Sequence, residues 1–128
     1  MNTSSRSFGQ DHSPTEIRLN RDNKTLDVDF DTGETFSIRI ELLRVESPSA
    51  DVQGHAPGQK KLVSGKQDVA ITDITPIGNY AIKIKFSDGH DSGYFTWNIL
   101  YRYGKNQDQL WSHYLSELKA ANLTKDPG

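Results

Sequence analysis

The chain of 128 residues contains no cysteine. Disulfides, thiolate nucleophiles, iron–sulfur ligation by this chain and cysteine-type zinc sites are therefore excluded. The sequence also lacks an apolar run of about 18 residues, so we expect no segment that spans a membrane. Its first residues offer no apolar stretch that could serve as the core of a secretory signal. We therefore expect a cytoplasmic protein, by default rather than from a positive signal.

A strong charge of one sign is missing as well. Fifteen Lys and Arg residues stand against 17 Asp and Glu residues, which gives a formal net charge of −2. A protein that binds nucleic acid or an anionic membrane usually carries a cationic face. Because cations and anions are mixed along this chain, we expect neither of them as a partner.

Alternating apolar residues are present and predict strands. Three consecutive segments alternate, which is typical of an antiparallel meander with one buried face: Ile17 and Leu19; Leu26, Val28 and Phe30; Phe36, Ile38 and Ile40. The second half of the chain predicts a strand that Pro76 ends, a strand through 80–86, and a strand that includes Tyr94 and Phe95.

Helical spacing appears in three places. Leu42, Leu43 and Val45 are too close together for a strand and predict a short helical turn. Thr96 can cap a helix that Gly104 would end, and a further amphipathic helix follows. The sequence thus predicts an α+β domain: a small antiparallel β-sheet of about six strands, a short helix after the third strand and two C-terminal helices. We place a disordered tail at 1–14, one domain at 15–121 and a frayed C-terminus at 122–128.

Signals for catalysis are weak. Gly54 and Gly58 are separated by three residues, and Lys60 is followed by Lys61, so the loop does not match a phosphate-binding P-loop. No serine lies in the Gly-x-Ser-x-Gly turn that exposes a nucleophile in many hydrolases. We therefore expect no enzyme.

Two histidines lie in polar loops and could bind a metal ion. His55 and His90 could hold a divalent ion with a carboxylate if their loops converge; the carboxylates near them in sequence are Glu46, Asp51, Asp88 and Asp91. The alternative is that both histidines are solvated turn residues, as histidines beside Gly and Asp often are.

The aromatic residues around 94–103 provide a possible partner surface. The stretch GYFTWNILYRYG contains five aromatic side chains, and one helix cannot bury all of its faces. We therefore predict that Trp97, Tyr101 and Arg102 contribute to a contact with another protein.

Two loops together resemble one family. LRVESPSADVQGH, followed by SDGHDSGYFTWNILY, resembles the gamma-butyrobetaine hydroxylase-like N-terminal domain family over residues 15–104 or so. The resemblance implies a small α+β domain that occurs at the N-terminus of carnitine-pathway dioxygenases, fused to P-loop ATPases of the iron–sulfur carrier type, and alone in bacteria. This chain is similar to the solitary bacterial type.

The resemblance also implies a zinc site, from which this sequence departs. In the dioxygenases three cysteines of the first loop bind zinc with a histidine of the later hairpin. That histidine corresponds to His90, and the cysteine positions fall on Ser47, Ser49 and Val52. A serine hydroxyl stays protonated near neutral pH and valine has no ligand atom, so we expect no zinc and no other cofactor.

The catalytic part of the dioxygenases is absent too. It is a separate domain with a His-x-Asp iron site, and this sequence contains no His-x-Asp. We therefore predict a non-enzymatic accessory or protein-interaction domain with an unknown partner, linked to iron–sulfur cluster delivery through the family's fusions. The alternative is a metal-binding domain that uses His55 and His90.

In the leading interpretation the first loop packs on the later hairpin. Ser47, Ser49 and Asp51 would then form local hydrogen bonds with the backbone, and Arg44 would pair with Asp88 or Asp91.

Overall fold

Six strands and four helices follow one another in residues 12–56 and 58–126, the part of the chain that the computed structural model describes. The strands are β1 (Pro14–Asn20), β2 (Thr25–Phe30), β3 (Thr35–Arg39), β4 (Ile71–Ile77), β5 (Ala81–Phe86) and β6 (Tyr94–Thr96). The helices are α1 (Ile40–Val45), α2 (Ala50–Gln53), α3 (Trp97–Lys105) and α4 (Gln107–Ala120).

The first three strands form the predicted antiparallel meander, in the order β1-β2-β3. Val28 of the central strand pairs with Ile17 on one side and Phe36 on the other. Leu26, Val28 and Phe30 are buried, which confirms the alternation in β2. The third strand ends one residue earlier than its pattern suggests, because Ile40 begins α1.

The other three strands form a second antiparallel sheet, in the order β4-β5-β6. Ile82, Ile84 and Phe86 of β5 are buried, and Lys85 is exposed. Pro76 does not end its strand as predicted: it pairs with Ile82 inside β4. A proline has no N–H to donate, but an edge strand such as β4 tolerates one. The predicted fold class is therefore confirmed, with six strands divided between two sheets.

The two C-terminal helices are also confirmed. Thr96 caps α3, since its Oγ1 accepts a hydrogen bond from Ile99 N at 3.2 Å. Gly104 does not end this helix, which continues to Lys105. A Cβ atom at Gly104 would lie only 2.5 Å from Phe36 Cγ. The glycine is needed because α3 lies directly against β3 at this point.

A single apolar core joins both sheets and the helices. The short helix α1 buries Leu42 and Leu43, α3 buries Leu100, and α4 buries Tyr114 and Leu118. The apolar face predicted for the last helix therefore packs inward, apart from Leu115, which is 39% exposed.

The predicted domain boundaries at 14 and 122 stay a prediction. Most of the predicted tail at 1–14 lies outside the described residues, and β1 begins at Pro14. In the segment predicted to fray from residue 122, Thr124 O accepts a hydrogen bond from Gly65 N and Lys125 O accepts one from Gln67 N. No helix within the described residues is long and apolar enough to cross a bilayer.

Candidate functional site

Three polar residues from two distant loops meet at one point. Ser47 and Ser49 lie between α1 and α2, and His90 lies in the turn between β5 and β6. That turn is closed by a hydrogen bond of 2.9 Å from Phe86 N to His90 O. We refer to Ser47, Ser49 and His90 as the serine–histidine cluster. It brings together three of the four positions that the sequence resemblance matches to zinc ligands, a correspondence that stays a prediction.

The serine–histidine cluster is held by hydrogen bonds between its own side chains. His90 Nε2 lies 2.9 Å from Ser47 Oγ and 3.3 Å from Ser49 Oγ. Ser47 is fully buried and Ser49 is 5% exposed. Burial, followed by the positive charge of Arg44, lowers the pKa of His90 below its ordinary value of 6.5. The neutral imidazole is therefore the favoured form in the folded protein.

Neighbouring groups fix the first loop in place. Tyr103 of α3 donates a hydrogen bond of 2.6 Å to Glu46 O, and Gln53 Nε2 donates one of 2.9 Å to Ser47 O. A Cβ atom at Gly93 would lie 2.6 Å from Ser47 Oγ. Glycine at position 93 therefore permits the hairpin to approach the serine loop this closely.

The predicted ion pair of Arg44 beside the cluster is confirmed. Of the two carboxylates considered, Asp88 is the partner. Arg44 Nε donates to Asp88 Oδ2 at 2.8 Å, and Lys66 Nζ lies 2.7 Å from the same oxygen. Burial alone would raise the pKa of Asp88, but the hydrogen bonds from Lys66 and Arg44 outweigh it and hold the pKa well below its usual range. Asp91, the other alternative, lies near Lys83 instead.

The loop that contains Ser47, Ser49 and Asp51 differs from the prediction in the contact of Asp51. Ser49 N donates to Ser47 Oγ at 3.4 Å, a long local bond of the expected kind. Asp51 instead accepts a hydrogen bond of 3.2 Å from Ser92 Oγ in the later hairpin. The Asp51 carboxylate thus helps to join the two loops, whereas the prediction placed its hydrogen bond on the backbone of its own loop.

The residues of the cluster do not fit a zinc ion. His90 is the one strong zinc ligand among them, Ser47 and Ser49 are neutral hydroxyls, and Val52 is a buried apolar side chain. Across residues 12–56 and 58–126, no group of three or more His, Asp or Glu residues could hold a metal ion. The alternative site at His55 and His90 stays a prediction; the backbone N–H of His55 donates to Gln59 Oε1 at 3.1 Å.

A serine beside a histidine could also suggest a nucleophile and its base. Nucleophilic attack requires the reacting carbonyl of a substrate to reach the serine Oγ. Ser47 is fully buried under the hairpin, and the close approach of Gly93 leaves no room above it. In this conformation the pair stabilises the contact between two loops.

The residues predicted to form a partner surface are partly used within the fold. Trp97 is half-buried and donates from Nε1 to Asn79 O at 2.6 Å. Tyr101 donates to Glu34 Oε1 at 2.6 Å, and hydrogen bonds from Lys105 and Tyr101 lower the pKa of Glu34 to about 2. Arg102 is exposed. A contact of these three side chains with another protein stays a prediction.

An open polar cleft of about 520 Å³ was not predicted. Five separated parts of the chain line it, among them the β2–β3 strands, the start of α4 and the C-terminal residues. The lining residues are Asn23, Lys24, Thr25, Ser37, Arg39, Glu41, Gln67, Val69, Gln107, Asp108 and Lys125. We refer to these residues as the basic cleft, after its three cations. No local motif could have revealed it, because its residues come together only in the folded chain.

Comparisons with known proteins identify the family. A sequence profile described as gamma-butyrobetaine hydroxylase-like, N-terminal, matches residues 17–101. A search of curated protein sequences gave no significant match.

Solved structures with the same fold are available. Two NMR solution structures are each 44% identical to this chain with a TM-score of 0.80; they cover 91% and 94% of it, and it covers 92% and 89% of them. A crystal structure of a protein of unknown function from Acidithiobacillus ferrooxidans ATCC 23270, assigned to the DUF971 family, is 38% identical with a TM-score of 0.60. That match covers 70% of this chain and 90% of the other. The chain therefore belongs to the gamma-butyrobetaine hydroxylase-like N-terminal domain family.

Proposed function

We propose that this chain is a non-enzymatic accessory domain that acts by binding a protein partner. The observation that supports this most directly is the burial of Ser47. The serine beside a histidine, an arrangement that resembles catalytic chemistry, is enclosed between two loops, and each serine hydroxyl lies within hydrogen-bonding distance of His90. Exposed charged side chains such as Arg39 and Lys85 stay accessible and can contact another molecule.

The family's fusions suggest the process in which such a partner takes part. Relatives joined to P-loop ATPases of the iron–sulfur carrier type place the domain beside a protein that delivers clusters. We include in the proposal that this chain associates with a protein of that pathway without binding a cluster itself. This part rests on association through fusion, whereas the binding role rests on the geometry above.

A photocrosslinking scan tests the binding role. A photoreactive amino acid is placed in turn at exposed positions in the native cell: Arg39, Arg102 and, on the second sheet, Lys85. The expected result is one partner captured from one face of the domain. The Ser47→Ala variant should capture the same partner, because the serine contributes to the fold rather than to the contact.

Turnover would contradict the proposal. If the purified protein converted a small molecule and Ser47→Ala abolished that conversion without unfolding the domain, the serine–histidine cluster would be an active site. A scan without any crosslinked partner, from a protein that is folded in the cell, would equally remove the binding role.

A further inference from the structure

The basic cleft contains two cations, Arg39 and Lys125, whose charges act on Glu41 without forming an ion pair with it. Lys24 Nζ lies 3.7 Å from Asp68, but within the described residues neither Arg39 nor Lys125 forms an ion pair. Both instead approach the ring of Trp111: Arg39 Cζ lies 4.6 Å from the ring centroid and Lys125 Nζ lies 5.4 Å from it. A cation over an indole face is held in position while its hydrogen-bond donors stay available.

Hydrogen bonds anchor the backbone at Arg39. Gln107 at the start of α4 accepts a hydrogen bond of 2.8 Å from Arg39 N and donates one of 2.8 Å to Ser37 O. The side chain of Gln107 therefore ties the end of β3 to the helix. Arg39 is exposed on this anchored backbone, and its guanidinium lies over the ring of Trp111.

The cleft also contains an acceptor that lacks a donor. Glu41 lines it, and within the described residues no group donates a hydrogen bond to the buried Glu41 Oε2. Because this oxygen has almost no accessible surface, a ligand in the cleft would not reach it. The groups of the cleft that suit a ligand are therefore the cations Arg39 and Lys125, which recognise acidic groups.

We propose that the basic cleft binds an acidic peptide segment of the partner protein, with its carboxylates on Arg39 and Lys125. This inference rests on the proposed function, since it names the class of partner. Arg and Lys recognise carboxylates through charge-assisted hydrogen bonds.

The size of the cleft favours a peptide over free phosphate. Glu41 and Asp108 also line the cleft, so an acidic segment would place its carboxylates on Arg39 and Lys125 and away from these two side chains. The net charge of −2 gives no long-range attraction for an anion, so binding depends on these local contacts. A volume of about 520 Å³ exceeds the needs of a single inorganic ion and suits several residues of an extended chain.

NMR titration of the full chain labelled with ¹⁵N provides the test. The probe is a capped hexapeptide of alternating Asp and Glu, with a capped hexapeptide of Lys and with inorganic phosphate as separate arms. The expected result is a saturable shift of the Trp111 indole signal and of the Arg39 and Gln107 signals with the acidic peptide. Trp97→Phe assigns the indole signals, since Trp97 and Trp111 are the two tryptophans of the chain.

Paired variants locate the site. Arg39→Ala combined with Lys125→Ala should weaken peptide binding about tenfold or more, because two charge-assisted contacts are lost. Lys85→Ala combined with Lys119→Ala removes the same charge from two exposed positions outside the cleft and should leave the affinity within about twofold. Equal losses in both pairs would show binding through net charge alone and overturn the proposal.

The titrations with inorganic phosphate and with the Lys hexapeptide provide the outcomes that would overturn this inference. Saturable binding of phosphate without binding of the peptide would assign the cleft to a small anion, and tighter binding of the Lys peptide would assign it to a cationic partner. Either outcome overturns this inference and leaves the proposed function intact if the crosslinking scan captures a partner through another face. A photocrosslinking scan that captures no partner would contradict the proposed function, whether or not the acidic peptide binds.

Discussion

The serine–histidine cluster and the basic cleft use similar polar residues in opposite ways. In the cluster, Ser47, Ser49 and His90 lie within hydrogen-bonding distance of one another, and Ser47 is fully buried. In the basic cleft, Arg39 and Lys125 face an open volume without an ion-paired partner among the described residues. Polar groups that satisfy one another hold a fold together, whereas polar groups left open can receive a ligand. The difference assigns stability to the first region and binding to the second.

The largest expected effect comes from separating the two loops of the cluster. Gly93→Ala places a Cβ atom 2.6 Å from Ser47 Oγ and 3.1 Å from Ser49 N, so the loops must move apart. We expect the free energy of unfolding to fall by about 1–3 kcal/mol, the usual cost of overpacking. Urea denaturation measures this. In a Ser47→Ala background the same substitution should cost less, since the closest atom is gone; an equal cost would contradict the proposed contact.

A smaller loss is expected from the hydroxyl groups themselves. The double variant Ser47→Ala, Ser49→Ala removes both partners of His90 Nε2. The free energy of unfolding should fall by about 1 kcal/mol, because a half-buried ring nitrogen loses its hydrogen bonds. Thermal denaturation against the wild type measures the change. An unchanged melting temperature would show that these hydrogen bonds contribute nothing.

The pH dependence of stability tests the state of His90. Its pKa is lowered in the folded protein, so the unfolded chain binds a proton more readily once the pH falls below 6.5. The contribution of His90 is fully present above pH 6.5 and decreases as the pH is lowered toward its folded pKa. Asp88, whose folded pKa is also lowered, begins to lose its contribution only below its ordinary value of 3.8.

The control for this titration is His90→Gln, which keeps a hydrogen-bonding group but does not titrate. Between pH 7.5 and 5 the free energy of unfolding should decrease more steeply in the wild type than in His90→Gln. Parallel curves would mean that the imidazole is protonated as easily in the folded protein as in the unfolded chain.

The smallest effect on stability is expected in the basic cleft. Arg39→Ala combined with Lys125→Ala should change the free energy of unfolding by no more than about 0.5 kcal/mol, as for most surface substitutions. Chemical denaturation measures the effect, with the Lys85→Ala, Lys119→Ala double variant as the control. A large loss would show that the two cations support the fold, and the contrast between the two regions would then fail.

Part of this structure follows from local sequence patterns. The alternation of Leu26, Val28 and Phe30 predicts β2 because one face of the strand is buried, and Thr96 predicts the start of α3 because its hydroxyl caps the helix. Gly104 was misassigned for a physical reason. A glycine near the end of a helix usually serves as a cap, but here it makes room for Phe36, which is 68 positions away in the chain.

The two candidate sites also differ in how far they can be predicted from the sequence. The family resemblance predicts that the loops of Ser47, Ser49 and His90 meet, and in the structure these side chains lie within hydrogen-bonding distance of one another. Nothing in the sequence joins Lys24, Arg39 and Lys125, since the cleft arises from the packing of β3 against α4 and from the attachment of the C-terminus.

The most direct test of the account compares thermal denaturation of protein purified without a histidine tag, with and without a strong chelator such as EDTA. The account holds that hydrogen bonds, rather than a metal ion, join the two loops at Ser47, Ser49 and His90, so it predicts the same melting temperature in both samples. A melting temperature that falls on chelation and recovers when zinc is restored would show that the serine–histidine cluster, or a site beside it, still depends on a metal ion.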